Sequence, residues 1–238
     1  RGFCDSRGDR VLVCPPCYGM YAVCARAKAV DVIESPLRPG FNLDAQGVTR
    51  RTREDNVRLV FLTSPNNPTG NLLDKASVLE VVRNSNAAVV VDEAYIDFAS
   101  DPGLAEASDK FSNLFILRTF SKSWGAAGVR VGVLMGNAAV LEVLSNLQAP
   151  YNISTPNSEA LMEIMNCRDE RERIVLDVIE HRKILAAELK KLDCVERVFP
   201  SRANFLLVRF RKSAKVLRYL ESRGVRVRDR SDQSGCGG

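Results

Sequence analysis

Histidine and tryptophan are nearly absent from this sequence: His181 and Trp124 are the sole examples in 238 residues. The seven cysteines are an odd number, which argues against a disulfide framework. The closest pair is Cys14-Pro15-Pro16-Cys17, with Cys24 nearby. With no second C-x-x-C and no histidine close by, a metal site or a redox pair is disfavoured. His181 falls in a charged helical pattern and is expected at the surface. No run approaches the roughly 20 apolar residues of a membrane-spanning helix. There are no internal repeats and no low-complexity segments. The start, Arg1-Gly2-Phe3-Cys4-Asp5, lacks an initiator Met and the apolar stretch of a signal peptide. The end, Gly235-Cys236-Gly237-Gly238, is a glycine-rich turn with no closing element. The expectation is a fragment or processed chain, incomplete at both ends. Reduced cysteines suit the cytosol, or an organelle stroma such as a plastid's if a transit peptide lies outside this chain.

The remainder is ordinary globular composition, 45% hydrophobic and 26% charged, with a net charge of +5. The charge is uneven. Residues 197–230 hold eleven Lys and Arg against Glu221 and Asp229, with Phe199, Phe205, Phe210 and Tyr219 interleaved. That composition would suit nucleic acid. No nucleic-acid-binding motif accompanies it, so a solvated face with sites for a small anion is the favoured reading, and neither a nucleic-acid nor a membrane partner is expected.

Hydrophobic patterning predicts strands at residues 11–13, 30–33, 57–62, 87–91, 114–117 and 129–135, alternating with helical patterns at 18–29 and 74–83 and a polar helix or loop at 42–53. Asp74 is a natural N-cap. This order predicts an α/β fold: a mostly parallel sheet covered by helices. After residue 138 the pattern changes to a helix at 141–147, a break at 150–156 and a long charged helix at 168–192. Strands at 195–199 and 204–210, a helix at 213–223 and a strand at 225–228 complete it. The predicted division is a large domain at 1–148, then a linker, long helix and smaller α+β C-terminal domain at 149–238.

In a parallel sheet, ligands gather beyond the C-terminal strand ends. Asn67 follows one predicted strand, Asp92 and Tyr95 a second, and Ser121 and Lys122 a third. The third stretch, Thr119-Phe120-Ser121-Lys122-Ser123-Trp124, is followed by Arg130 eight residues beyond the lysine. A lysine can form a Schiff base with an aldehyde, and a serine and an arginine can hold a phosphate. Pyridoxal 5′-phosphate (PLP) carries both groups. Asp92 would keep the pyridine nitrogen protonated, although a helix N-cap is the other common use of an Asp there. Asn67 and Tyr95 would donate to the ring oxygen, and Tyr18 would stack on the ring face. The ordinary alternatives are a turn Asn, a core Tyr with a bonded hydroxyl and helix packing. Burial and the charge of Arg130 would help Lys122 lose its proton.

Ser64-Pro65-Asn66-Asn67-Pro68-Thr69-Gly70, Asp92-Glu93-Ala94-Tyr95 and Ser121-Lys122 with Arg130 resemble the three signatures of the class I/II aminotransferases, PLP fold type I. Pro15-Pro16-Cys17-Tyr18-Gly19-Met20-Tyr21 and Ala203-Asn204-Phe205 are similar to the histidinol-phosphate branch of that family. The resemblance runs along essentially the whole chain. It implies a fold type I large domain, PLP as cofactor, and transamination between histidinol phosphate/imidazole acetol phosphate and 2-oxoglutarate/glutamate. It also implies that Lys122 carries the cofactor, with Asp92 and Tyr95 catalytic beside it. Asn67, Tyr95, Ser121, Arg130 and Tyr18 complete the cofactor contacts, Arg228 and Asn204 meet the substrate, and the chain pairs as a homodimer. The family's phosphate-binding loop and carboxylate-gripping arginine would fall outside this sequence. Alternatives are an aromatic aminotransferase, a phospho-amino-acid decarboxylase, or an inactive fragment or basic binding protein.

Overall fold

In strand β1, Arg10–Val13, Leu12 turns to one side of the sheet and Val11 and Val13 to the other, and all three are buried. Strand side chains alternate, so a strand apolar on both sides belongs in a sheet covered on both faces. A computed structural model, which describes residues 2–5 and 8–237, shows that sheet. Arg1 and Gly238, which enter the reading of the chain's limits, lie outside the described residues.

The chain runs β1, α1 (Met20–Arg26), β2 (Asp31–Glu34), α2 (Ala45–Glu54), β3 (Val57–Thr63), α3 (Lys75–Asn84), β4 (Ala88–Asp92), β5 (Leu114–Thr119) and β6 (Gly132–Met135). The strands form one sheet in the order β2-β1-β3-β4-β5-β6. All neighbours are parallel except β5 and β6. On one face Leu12, Val60, Leu62, Val89, Val91, Leu114 and Ile116 pack with Val48 of α2 and Val78, Val81 and Val82 of α3. On the other, Val11, Val13, Leu59 and Phe61 pack with Tyr21 and Ala25 of α1. Asp74 accepts from the Ser77 backbone N–H and caps α3 as predicted, and Asp44 caps α2 through Gly47 in the same way.

The later chain forms α4 (Ala138–Asn146), α5 (Thr155–Asn166), α6 (Arg168–Leu189), a two-stranded antiparallel sheet of β7 (Val195–Val198) and β8 (Val208–Phe210), and α7 (Ser213–Ser222). Three expectations change here. Residues 155–166, of which the sequence pattern puts 155 and 156 at the end of a break and assigns the rest no element, form α5, capped by Ser154 with Pro156 in its first turn, where proline fits. Residues 225–228 are not a strand. Val225 and Val227 alternate with arginines as a strand would, but both are about half exposed and no strand lies beside them among the described residues. Residues 129–131 belong to a tight turn rather than to β6, because Arg130 sits at φ +59° in the left-handed region.

The sequence pair Asp92-Glu93 is divided between the two faces. Asp92 lies on the α1 side. Glu93 lies on the α3 side, where its carboxylate accepts from Arg118 of β5 at 2.7 and 2.9 Å and from the Leu104 backbone N–H at 2.6 Å. Gly103 packs so close to this carboxylate that any Cβ would collide with it, and its φ of +76° suits glycine alone. Burial pushes the Glu93 carboxyl up, and the Leu104 N–H and Arg118 oppose that rise.

Arg118→Met is therefore expected to cost about 3 kcal/mol near neutral pH, because it strands a buried carboxylate. The stranded Glu93 would have a folded pKa above its unfolded one. The penalty is then absent below the unfolded pKa and reaches its full size above the folded pKa. Urea unfolding of both proteins should show the deficit shrinking in mild acid.

Candidate active site

The register aligns the C-terminal ends of three strands: Thr63 of β3 lies beside Asp92 of β4, which lies beside Leu117 of β5. The loops beyond them carry Asn67, Tyr95, Ser121 and Lys122, so the grouping expected at the strand ends is present. β6 runs back against β5, pairing Gly132 with Thr119, and the Phe120 N–H donates to the Val131 carbonyl at 3.4 Å, so the segment carrying Arg130 returns to the end of β5 from which Ser121 leaves.

Asp92 is 7% exposed. Its Oδ1 accepts from the Ala94 backbone N–H at 2.9 Å, the local turn bond that Asp favours after a strand. Its Oδ2 accepts from the Tyr21 hydroxyl. Burial pushes its carboxyl up, while Tyr21, the Ala94 N–H and the charge of Lys122 pull it back. The result is a buried acceptor with one cation nearby.

Tyr95 is the meeting point of the neighbouring groups. Its hydroxyl accepts from Asn67 Nδ2 at 3.1 Å, and Lys122 Nζ stands 5.2 Å from its ring centroid. The ring meets Phe205 edge-on at 5.1 Å and packs with Val175 and Ile179 of α6. Lys122 itself is exposed rather than partly buried. The residues around it are held. Thr119 Oγ1 donates to Ser121 Oγ at 3.0 Å and accepts from the Ser121 N–H at 3.1 Å. On the other side Ser123 donates to Asp97, which also pairs with Arg171 of α6 at 2.7 Å. Arg130 is exposed, with one guanidinium N–H donating to the Ala127 carbonyl at 3.0 Å. Tyr18 is 44% exposed and meets the Tyr21 ring edge-on at 5.5 Å, which places it on the Asp92 side of the group.

Two expected residues stand apart. Arg228 is exposed in the irregular segment after α7 and forms no hydrogen bond or ion pair among the described residues. Asn204 is exposed in the β7–β8 loop and reaches the group only through its neighbours, Ala203 and Phe205. Sequence reasoning missed Tyr21, Ser123, Asp97, Arg171 and Phe205. The available signal for Tyr21 was its spacing: it lies three residues after Tyr18, about one helical turn on in the predicted helix at 18–29. The others depend on long-range packing.

These donors fit PLP. A buried carboxylate suits a protonated pyridine nitrogen, and an amide and a hydroxyl held together suit the ring oxygen. An amine with no hydrogen bond or ion pair among the described residues suits the aldehyde, and a serine and an arginine carried on the β5–β6 connection suit the phosphate.

Comparison with known proteins agrees. The family model for aminotransferase class I and II matches residues 1–233. A histidinol-phosphate aminotransferase of Cytophaga hutchinsonii is 37% identical over 238 residues, covering 100% of this chain and 68% of the relative. One from Escherichia coli is 39% identical over 245 aligned positions, covering 99% and 68%. The solved histidinol-phosphate aminotransferase of Clostridium acetobutylicum superposes with a TM-score of 0.84 at 27% identity, covering 97% of this chain and 71% of that one. With the strand-end residues in place and the family model matching nearly its whole length, the chain belongs to the class I and II aminotransferases, PLP-dependent transaminases of fold type I.

Proposed function

We propose that this site exchanges an amino group between histidinol phosphate/imidazole acetol phosphate and 2-oxoglutarate/glutamate. The carrying observation is the placement of Asp92, the Asn67–Tyr95 pair and Lys122 beyond three aligned strand ends, with Ser121 and Arg130 on the β5–β6 connection. The choice of substrate is supported by the histidinol-phosphate aminotransferases, 37% and 39% identical, that match along the chain.

Asp92 pairs with the pyridine N–H, Asn67 and Tyr95 donate to the ring oxygen, Ser121 and Arg130 hold the phosphate, and Tyr18 covers one ring face. When bound, PLP supplies an electron sink for the substrate carbanion. Lys122 would hold the cofactor through its Nζ and, as a free amine, would take the proton from the substrate α-carbon as base and deliver it as acid. Its Nζ stands beside the ring of Tyr95, and its exposure gives it the reach to serve both positions. Arg228 and Asn204 contact the substrate, a role favoured by the basic stretch around the first and by the packing of Phe205 on Tyr95 beside the second.

A homodimer is part of the same proposal. It is supported by the exposed apolar residues Val143 of α4, Leu147, Tyr151 and Ile153 of the segment that follows it, and Met162 of α5. The seven free cysteines favour a reducing compartment, the cytosol or a plastid stroma.

Borohydride reduction in the presence of PLP, followed by peptide mass spectrometry, is expected to place the cofactor on Lys122 and to find none in Lys122→Ala. Imidazole acetol phosphate should be consumed with glutamate much faster than phenylpyruvate; the reverse preference would reject the histidinol-phosphate assignment. Arg130→Ala should weaken PLP binding roughly 10- to 100-fold, the range for losing a hydrogen bond to a charged group. Fluorescence titration would read the change.

A further inference from the structure

Tyr21 has no place in the roles assigned above, yet it is built into the site. On β3, Phe61 and Thr63 face α1, and the β3–β4 register sets Asp92 beside Thr63 on that same side. Tyr21 of α1 lies over this strip. Its ring stacks on Phe61 with centroids 4.4 Å apart and planes 5° from parallel. Its oxygen accepts from Thr63 Oγ1 at 3.4 Å and donates to Asp92 Oδ2. A phenol has one proton, and the Thr63 contact leaves that proton to Asp92.

We propose that Tyr21 is a positioning residue: stacked on Phe61, it fixes the Asp92 carboxylate as an acceptor aimed at the cofactor's ring nitrogen. This rests on the reading of Asp92 as the partner of that nitrogen. Two donors, the Tyr21 hydroxyl on Oδ2 and the Ala94 N–H on Oδ1, define the carboxylate plane, and each oxygen keeps a lone pair for the ring. The titratable groups facing Asp92 are Tyr21 and Lys122, and those facing Tyr21 are Asp92 and Cys17. Burial and the carboxylate push the Tyr21 hydroxyl far up, so it remains a donor throughout the working range. Burial also pushes Cys17 up, to about 11, so it stays a neutral thiol. The donated bond works against the burial that favours protonated Asp92.

The test is a four-protein cycle: parent, Tyr21→Phe, Asp92→Asn and the double variant. PLP affinity is read by fluorescence across pH, and stability by thermal melting without PLP. Phenylalanine keeps the ring and its stack and removes only the hydroxyl. With Asp92 intact, Tyr21→Phe should weaken PLP about tenfold and raise the acid limb of binding by about one pH unit. In the Asp92→Asn background it should change neither, because the group it acts through is gone. If Tyr21→Phe melts early because its carboxylate is stranded, the double variant should recover stability, which reports the same coupling. Equal effects in both backgrounds, or no effect in either, would overturn the proposal. Borohydride trapping on the parent separates this failure from the larger one. With Lys122 labelled, a flat cycle removes Tyr21 alone; with Lys122 unlabelled, the cofactor reading fails and the proposal with it.

Discussion

The structure depends on the parallel register of β3, β4 and β5. Each neighbour contributes a residue at the same level, Thr63, Asp92 and Leu117, so three loops that are distant in sequence leave the sheet side by side. The two-residue alternation of a strand then assigns direction. Asp92 faces α1 and Glu93 faces α3, and the two acids acquire opposite tasks. Glu93 is saturated by Arg118 and the Leu104 N–H and ties β4 to β5. Asp92 keeps unused acceptor capacity next to the exposed amine of Lys122. A one-residue slip in β4 would exchange the two faces and leave an unpaired carboxylate against the apolar side of the sheet.

The reverse run of β6 supplies the remaining cation. Parallel strands alone would put Arg130 a whole crossover away from Ser121. The antiparallel return pairs Gly132 with Thr119, and the left-handed backbone at Arg130 makes the turn tight enough for that pairing. A non-glycine residue in this region is uncommon and is held by its surroundings, here the buried Val129 and Val131 on either side.

Much of this was legible in the sequence, for identifiable reasons. Apolar runs of four to seven residues, such as Val57–Thr63, announced buried parallel strands, and the punctuation after each announced the loops. Local rules also located the Asp74 cap. They failed where the deciding partner is remote. Val225 and Val227 alternate as a strand does, yet no strand pairs with them among the described residues, and the Val225 N–H turns back to the Leu220 carbonyl of α7. Residues 155–166 look polar because none of α5 is fully buried, so a weak apolar stripe concealed a regular helix. In the site, the chemically unusual residues were legible and their supports were not. Lys122 and Asp92 stand out by type and position, whereas Tyr21 reads as one more core aromatic until the fold places its hydroxyl against Asp92.

That division has a physical basis in how Lys122 is mounted. The role proposed for it, anchoring a cofactor and carrying a proton, calls for a mobile end on a fixed base. Lys122 is exposed and has a flexible stem, while the residues before and after it are tied down: Ser121 through Thr119, and Ser123 through Asp97 and Arg171. Arg171 also lies over the Trp124 ring at 5.1 Å, so α6 grips the loop by charge and by packing. The same helix packs beneath Tyr95 through Val175 and Ile179. One rigid element therefore sets both the loop from which Lys122 swings and the aromatic ring beside which its amine rests. A displacement of α6 would move these two together and preserve their separation, at the expense of their alignment with Asp92.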